Sequence, residues 1–279
     1  MSLEQTLSKH IKDWYAHTDQ DLNTYLREVV SEDEASAIQS TYRLFLDEQE
    51  AFKEAKENNI SSQRWIYDVL KKRIPEGELV DGMDLEDYAS SLVHTTAKSI
   101  LHSTVPEEVD LTTVAVDTIP QLQTFFDSPL QSPEEKPIHL IAGGALLQYA
   151  KKKNLNFDPA QACLIATTGI TTTKALYQVG TGQIELDTAL NVLEEQSVAA
   201  LATVIETVVP KAGQAIGAVV GGYIGQYVGN APAGAKIGAK LGAIAGEFVA
   251  TKAKPIAKKV MSTAGKLVRK VGSFISSFF

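Results

Sequence analysis

Apolar residues recur at helical spacing from the start of the chain. Leu7, Ile11, Trp14, Tyr15, Leu22, Tyr25, Leu26 and Val29 give residues 3–30 one continuous buried helical face. Ser31-Glu32-Asp33-Glu34 has capping-box spacing, and Ala35, Ile38, Tyr42, Phe45 and Phe52 mark the inward side of the helix that follows. Asn58-Asn59 ends it. Another helix is predicted over 62–73, with Trp65, Ile66, Val69 and Leu70 inward, before Pro75 and Gly77 break the chain. Asp84-Leu85-Glu86-Asp87 opens a helix through about 103, and one over 110–127 is interrupted by Pro120. Nothing alternates with the period of a strand, so the expected fold is all-α.

Pro129, Pro133 and Pro137, with Ser132 and Glu134-Glu135 between them, read as a linker over 129–137 that closes an acidic helical domain at 1–128. Small residues dominate beyond it. Ala142-Gly143-Gly144-Ala145, Ala162, Ala166, Gly169, Ala175 and Ala199-Ala200 predict a tightly packed helical region over 138–209. Its helices are placed at 138–152, at 159–178 behind Asp158 as N-cap and Pro159 in the first turn, and at 184–208 after a turn around Gly180-Thr181-Gly182.

The pattern then changes. Gly213, Gly217, Gly221, Gly225 and Gly229 recur every four residues, and Gly234, Gly238, Gly242 and Gly246 repeat the interval. Four-residue spacing keeps them on one side of a helix. Asn230-Ala231-Pro232-Ala233 separates the sets with a left-handed-tolerant residue and a first-turn proline, which predicts an antiparallel αα-hairpin over 210–251. Folding about that turn sets Gly229 against Gly234, Gly225 against Gly238, Gly221 against Gly242 and Gly217 against Gly246. Each glycine costs about 1 kcal/mol relative to alanine in a helix, so close packing within or between chains is needed to offset them.

Residues 252–279 form the last predicted element, a basic amphipathic helix. Ile256, Val260, Leu267, Val271, Phe274, Ile275 and Phe278 trace one face, while Lys252, Lys258, Lys259, Lys266, Arg269 and Lys270 lie mainly elsewhere. No acid interrupts it. From Ile205 onward ten Lys or Arg face only Glu206 and Glu247, a net of +8, so the first 204 residues carry −16 of a chain whose total is −8. Such a segment suits an anionic membrane surface, where Lys258, Lys259, Lys266, Arg269 and Lys270 meet headgroups and Phe274, Phe278 and Phe279 enter the acyl boundary. A core-packed terminal helix with a solvated basic face is the plainer alternative.

The repeated GxxxG spacing resembles the glycine zipper of membrane-associated and channel-forming proteins, over residues 213–246 alone. The resemblance implies that the glycines make helix contacts while the intervening apolar residues face lipid or neighbouring helices. The chain departs from a plain spanning hairpin at Lys236, Lys240 and Glu247, which share the face opposite Gly238, Gly242 and Gly246. Each costs up to about 3 kcal/mol in a bilayer. The seven large apolar side chains between Ala212 and Gly229 return only about 2 to 4 kcal/mol. Two arrangements satisfy both stripes. Either the hairpin is the core of a soluble helical body or homo-oligomer with the charges in water, or several copies assemble in lipid and Lys236, Lys240 and Glu247 line an aqueous lumen.

Reactive chemistry is sparse. His10, His17, His94, His102 and His139 are scattered with no HExxH or i, i+4 His pair, so no metal site is expected. Cys163, the single cysteine, excludes an intramolecular disulfide, and with Leu164 and Ile165 beside it reads as packing. No phosphate-binding loop is present, so neither a cofactor nor a small-molecule substrate is expected. The paired acids Glu107-Glu108 and Glu194-Glu195 read as solvated faces, and Thr167-Thr168 and Thr171-Thr172-Thr173 as caps and surface threonines. The basic tail carries no nucleic-acid recognition motif. The start of the chain has early charges and no uninterrupted apolar core, so cytoplasmic synthesis without a secretory signal is expected, with membrane association in the active state. Taken together, the residues point to a non-enzymatic, membrane-active, self-associating protein of pore-forming, toxin-like or membrane-remodelling type. A soluble all-helical interaction protein is the alternative.

Overall fold

The computed structural model describes residues 3–17, 19–73, 84–104, 120–130, 132–155 and 157–208. Every regular element among them is helical, and the fold is all-α. In chain order they are α1 (Leu3–Ala16), α2 (Leu22–Val29), α3 (Glu32–Glu57), α4 (Ser62–Arg73), α5 (Leu85–Thr104), α6 (Pro120–Asp127), a 3₁₀ turn at Pro133–Glu135, α7 (Lys136–Lys152), α8 (Pro159–Thr181) and α9 (Leu186–Val208). No helix among these residues is long and apolar enough to cross a membrane.

The single helix expected over 3–30 is two helices. Asp21 caps α2, its carboxylate accepting from the Thr24 N–H at 3.1 Å, and this local bond competes with continuation from α1. Apolar spacing persists across the break because both helices bury onto the same core. At α3 the capping box forms as its spacing predicts: the Glu34 N–H donates to Ser31 Oγ at 3.4 Å and the Ser31 N–H donates back to Glu34 Oε2 at 3.1 Å. Asn59, at φ 60°, takes the left-handed position beyond its end. Of the helix expected over 110–127, the described part is α6 from Pro120, a residue with no N–H to lose in a first turn; residues 110–119 lie outside the described residues.

Helices from both sides of the Pro-rich stretch enter one core. Leu7, Ile11, Leu26, Ile38 and Phe45 pack in the same cluster as Leu140, Ile141, Leu146, Ala162, Ile165 and Val204. Within the stretch read as a linker, Glu135 is only 2 % exposed at the entry to α7, while Pro129, Glu134 and Lys136 are exposed. A second cluster gathers Phe52, Ile66, Leu70, Ala89 and Leu92 against Val198, Leu201 and Ile205. Helix α9 walls both clusters, Ala199, Ala200 and Val204 facing the first and Val198, Leu201 and Ile205 the second.

The centre of the first cluster is α7, whose residues from Ile138 to Leu147 are buried without a break. Gly143 explains how α8 comes so close: a Cβ there would lie 3.3 Å from the Cα of Cys163. On another side, a Cβ on Gly144 would lie 2.9 Å from Cδ1 of Leu26 in α2. The tight packing expected of the small-residue region is present. Helix α8 starts on a capping box between Asp158 and Gln161 and ends at Gly182, φ 77°, where the Gln183 N–H donates to the Gln178 carbonyl at 2.8 Å. Gly180 lies inside the helix, so the turn begins later than expected.

Candidate functional site

The chemistry with the most buried charge lies at the α6–α7 corner. Lys174 is the only charged residue of α8 and is fully buried. All three of its donors are used: Nζ donates to Ser128 Oγ at 2.7 Å, to the Pro129 carbonyl at 2.9 Å and to Glu135 Oε1. The other carboxylate oxygen of Glu135 lies 3.4 Å from His139 Nε2, one helical turn on. Tyr42 of α3 stacks on the His139 ring with centroids 5.6 Å apart, and Nδ1 of His139 has no hydrogen-bond partner among the described residues.

Electrostatics follow from that geometry. Burial alone would raise the Glu135 pKa, but hydrogen bonds from His139 and Lys174 and their charge hold it below the ordinary carboxylate value. Burial lowers the Lys174 pKa, with Glu135 opposing. Gln178 extends the junction, its Nε2 donating to the carbonyls of Phe126 at 2.9 Å and Ser128 at 2.6 Å. Tyr177 adds a bond to Asp127 Oδ1 at 3.1 Å. With the Lys174 donors spent and both Glu135 oxygens engaged, the cluster is a clamp holding the corner to α8.

Sequence reasoning missed this group. The sequence reads Glu135 as part of a linker, and the one signal it holds for Lys174 is a lone charge in an otherwise uncharged helix. Two other expectations are corrected. Thr167, Thr168, Thr171 and Thr172 are buried, not surface residues. Thr168 and Thr172 satisfy their hydroxyls by donating to the carbonyls of Leu164 and Thr168, each at 2.7 Å, which allows burial without an outside partner. Glu194 does not sit on a solvated face. Its carboxylate accepts from Lys56 Nζ at 2.7 Å and Ser62 Oγ at 2.5 Å, tying α9 to α3 and α4.

Cys163 is fully buried and its thiol is pushed up to about 12 by burial, so it is an unreactive packing residue. No group of three or more His, Cys, Asp or Glu side chains among the described residues is gathered to hold a metal ion. The ladder from Gly213 to Gly246, the stripe Lys236, Lys240 and Glu247, and the segment from Lys258 to Phe279 lie outside the described residues, as does Glu107-Glu108, while His102 lies on α5. What the structure does place is the end of α9, where Glu206 pairs with Arg73 at the end of α4, two residues before the last described position.

The fold and the clamp define an all-helical protein held at its centre by glycine-mediated helix contact and a buried ion cluster. The chain matches no family model, no curated protein and no solved structure.

Proposed function

We propose that the protein is a non-enzymatic, membrane-active protein whose C-terminal third binds or enters lipid and self-associates through its glycine stripes. The observation that carries this reading is a juxtaposition in sequence: nine glycines in two matched four-residue ladders, followed directly by an acid-free basic amphipathic segment. The helical body, −16 over the first 204 residues, keeps the chain in solution until the basic segment meets an anionic surface. Lys236, Lys240 and Glu247 make insertion dependent on assembly, because only copies grouped around water give these charges a polar side.

Flotation with phosphatidylserine liposomes and release of an entrapped dye test it. Full-length protein floats and releases dye; a variant with Lys258, Lys259, Lys266, Arg269 and Lys270 all changed to Gln does neither. Equal behaviour of the two sinks the reading. Gly221→Leu with Gly242→Leu leaves liposome binding but abolishes self-association.

A second reading is favoured by one observation. At Gly143 the body itself uses a glycine to bring two helices to backbone distance inside its own buried core. On this reading the glycine ladders are a soluble core of a homo-oligomer. It predicts a detergent-independent particle with no liposome binding.

A further inference from the structure

Two helices of the acidic body end on three consecutive exposed basic residues: α4 on Lys71-Lys72-Arg73, where Arg73 pairs with Glu206, and α7 on Lys151-Lys152-Lys153, which leads into an exposed leucine. Lys151, Lys152 and Lys153 at the end of α7, then Asn154 and Leu155, are all exposed. The turn is fixed by its backbone: the Leu155 N–H donates to the Ala150 carbonyl at 2.8 Å, the Asn154 N–H to the Lys151 carbonyl at 3.1 Å, and Asn154 sits at φ 53°. In this closure the residue at the Leu155 position ordinarily folds back on the helix. Leu155 instead stays 41 % exposed, which among the described residues only Leu46 equals as a large hydrophobic.

A fourth lysine comes from another helix. Lys9 of α1 is exposed, and it and Lys152 both act on His10, whose Nε2 lies 3.2 Å from Gln148 Oε1 on α7. Burial first, then these two lysines, lower the His10 pKa, against the Gln148 hydrogen bond and Asp13. Lys151 is engaged by Glu34. Lys152 Nζ donates to Gln148 Oε1 at 3.2 Å and Lys153 Nζ lies 6.0 Å from the Tyr149 ring centroid, and neither has a carboxylate partner among the described residues. A helix dipole favours lysines in a last turn. It does not explain an exposed leucine beyond them or a lysine converging from α1.

We propose that this turn is a second membrane-contact point, at which Lys9, Lys152 and Lys153 meet anionic lipid headgroups and Leu155 enters the apolar boundary. The proposal rests on the membrane-active reading above. Long stems that carry ammonium groups beside one apolar side chain match a charged layer over a hydrocarbon one. A protein partner is a poorer fit, since a stable interface takes about 800 Å² per side and this turn offers a single exposed apolar residue.

The test is flotation of full-length protein with phosphatidylcholine vesicles, with and without phosphatidylserine, at low salt. Each lysine near such a surface is worth about fivefold, so Lys152→Gln with Lys153→Gln lowers the partition coefficient about thirtyfold on serine-containing vesicles, with an unchanged melting temperature. A polarity-sensitive dye on Leu155→Cys, selective because Cys163 is buried, shifts blue on the same vesicles. If the double variant floats like wild type and the dye does not shift, while the tail variant fails to float, the turn proposal is overturned and the membrane reading stands. If wild type binds neither vesicle, both fall. Loss of self-association with vesicle binding retained assigns the turn to a second copy of the chain and also overturns the proposal.

Discussion

Helices α3 and α7 bury themselves in opposite ways. Along α3 the buried positions Ala35, Ile38, Thr41, Tyr42, Phe45, Gln49, Phe52 and Ala55 fall on one side, and the other side is charged. Along α7 burial runs unbroken from Ile138 to Leu147. A helix with one buried face can use large side chains, because the partner surface lies in one direction. A helix enclosed on all sides has to admit its neighbours, and α7 does so by having no side chain at Gly143 and Gly144. The price of a central position is thus small residues, together with polar groups that must be satisfied internally. Lys174, Glu135 and His139 sit at the edge of that enclosed zone, with Tyr42 of α3 against them.

The sharpest way to break this contrast is to remove one member of the buried ion pair. Lys174→Met leaves Glu135 charged and enclosed, and is expected to cost about 3 to 5 kcal/mol in urea unfolding. Combining it with Glu135→Gln is expected to recover much of that loss. A single-variant cost under about 1 kcal/mol would mean that the corner is solvated and that the ion pair does not hold it to α8. Acid gives a related test. The Glu135 pKa is depressed in the folded chain, so its contribution is present above the unfolded carboxylate value and is lost as pH falls through the folded one. Stability measured against pH should therefore fall in acid for wild type and less steeply for Glu135→Gln.

The same contrast explains what was legible in the sequence. Helix α3 could be read almost to its ends, since a cap, a one-sided apolar period and an Asn-Asn stop all agree. Helix α4 was read over its described span, Ser62–Arg73, from its one-sided apolar period. The split between α1 and α2 was hidden because both bury on one core, so apolar spacing ran across the break. The clamp was hidden more deeply. An enclosed helix has no polar face whose absence on one side would mark a charge as buried, and a Glu among prolines reads as a surface residue. Buried threonines were misjudged because their partner is their own helix's backbone, which no pattern of side chains reveals.

A smaller effect separates the two glycines of α7. At Gly143 an added methyl meets the backbone of Cys163, in the middle of a helix that cannot yield locally. Gly143→Ala is expected to destabilise by about 1 to 2 kcal/mol despite the better helix propensity of alanine. At Gly144 the nearest atom is the end of a flexible leucine, so Gly144→Ala should stay within about 1 kcal/mol of wild type. Thermal unfolding of the two variants side by side decides it. If Gly143→Ala were as stable as Gly144→Ala, backbone contact between α7 and α8 would not be what places them.

The least costly test asks whether helix ends differ between the two settings as helix middles do. Both α3 and α8 open on a capping box, one with a hydroxyl and one with a carboxylate. The Gln161 N–H donates to Asp158 Oδ1 at 2.7 Å, against 3.4 Å for the Glu34 N–H to Ser31 Oγ. A charged acceptor at a helix N-terminus is the stronger cap. Asp158→Ala is expected to cost about 1 to 2 kcal/mol and Ser31→Ala about 0.5 to 1 kcal/mol, with Asn restoring most of either loss. Both caps act within the first turn of their own helix through bonds that do not involve Gly143, so these costs should be unchanged when Gly143→Ala is present. Non-additivity between Asp158→Ala and Gly143→Ala would show that α8 is held as one rigid body from its cap to its contact with α7, a coupling the one-faced α3 should lack.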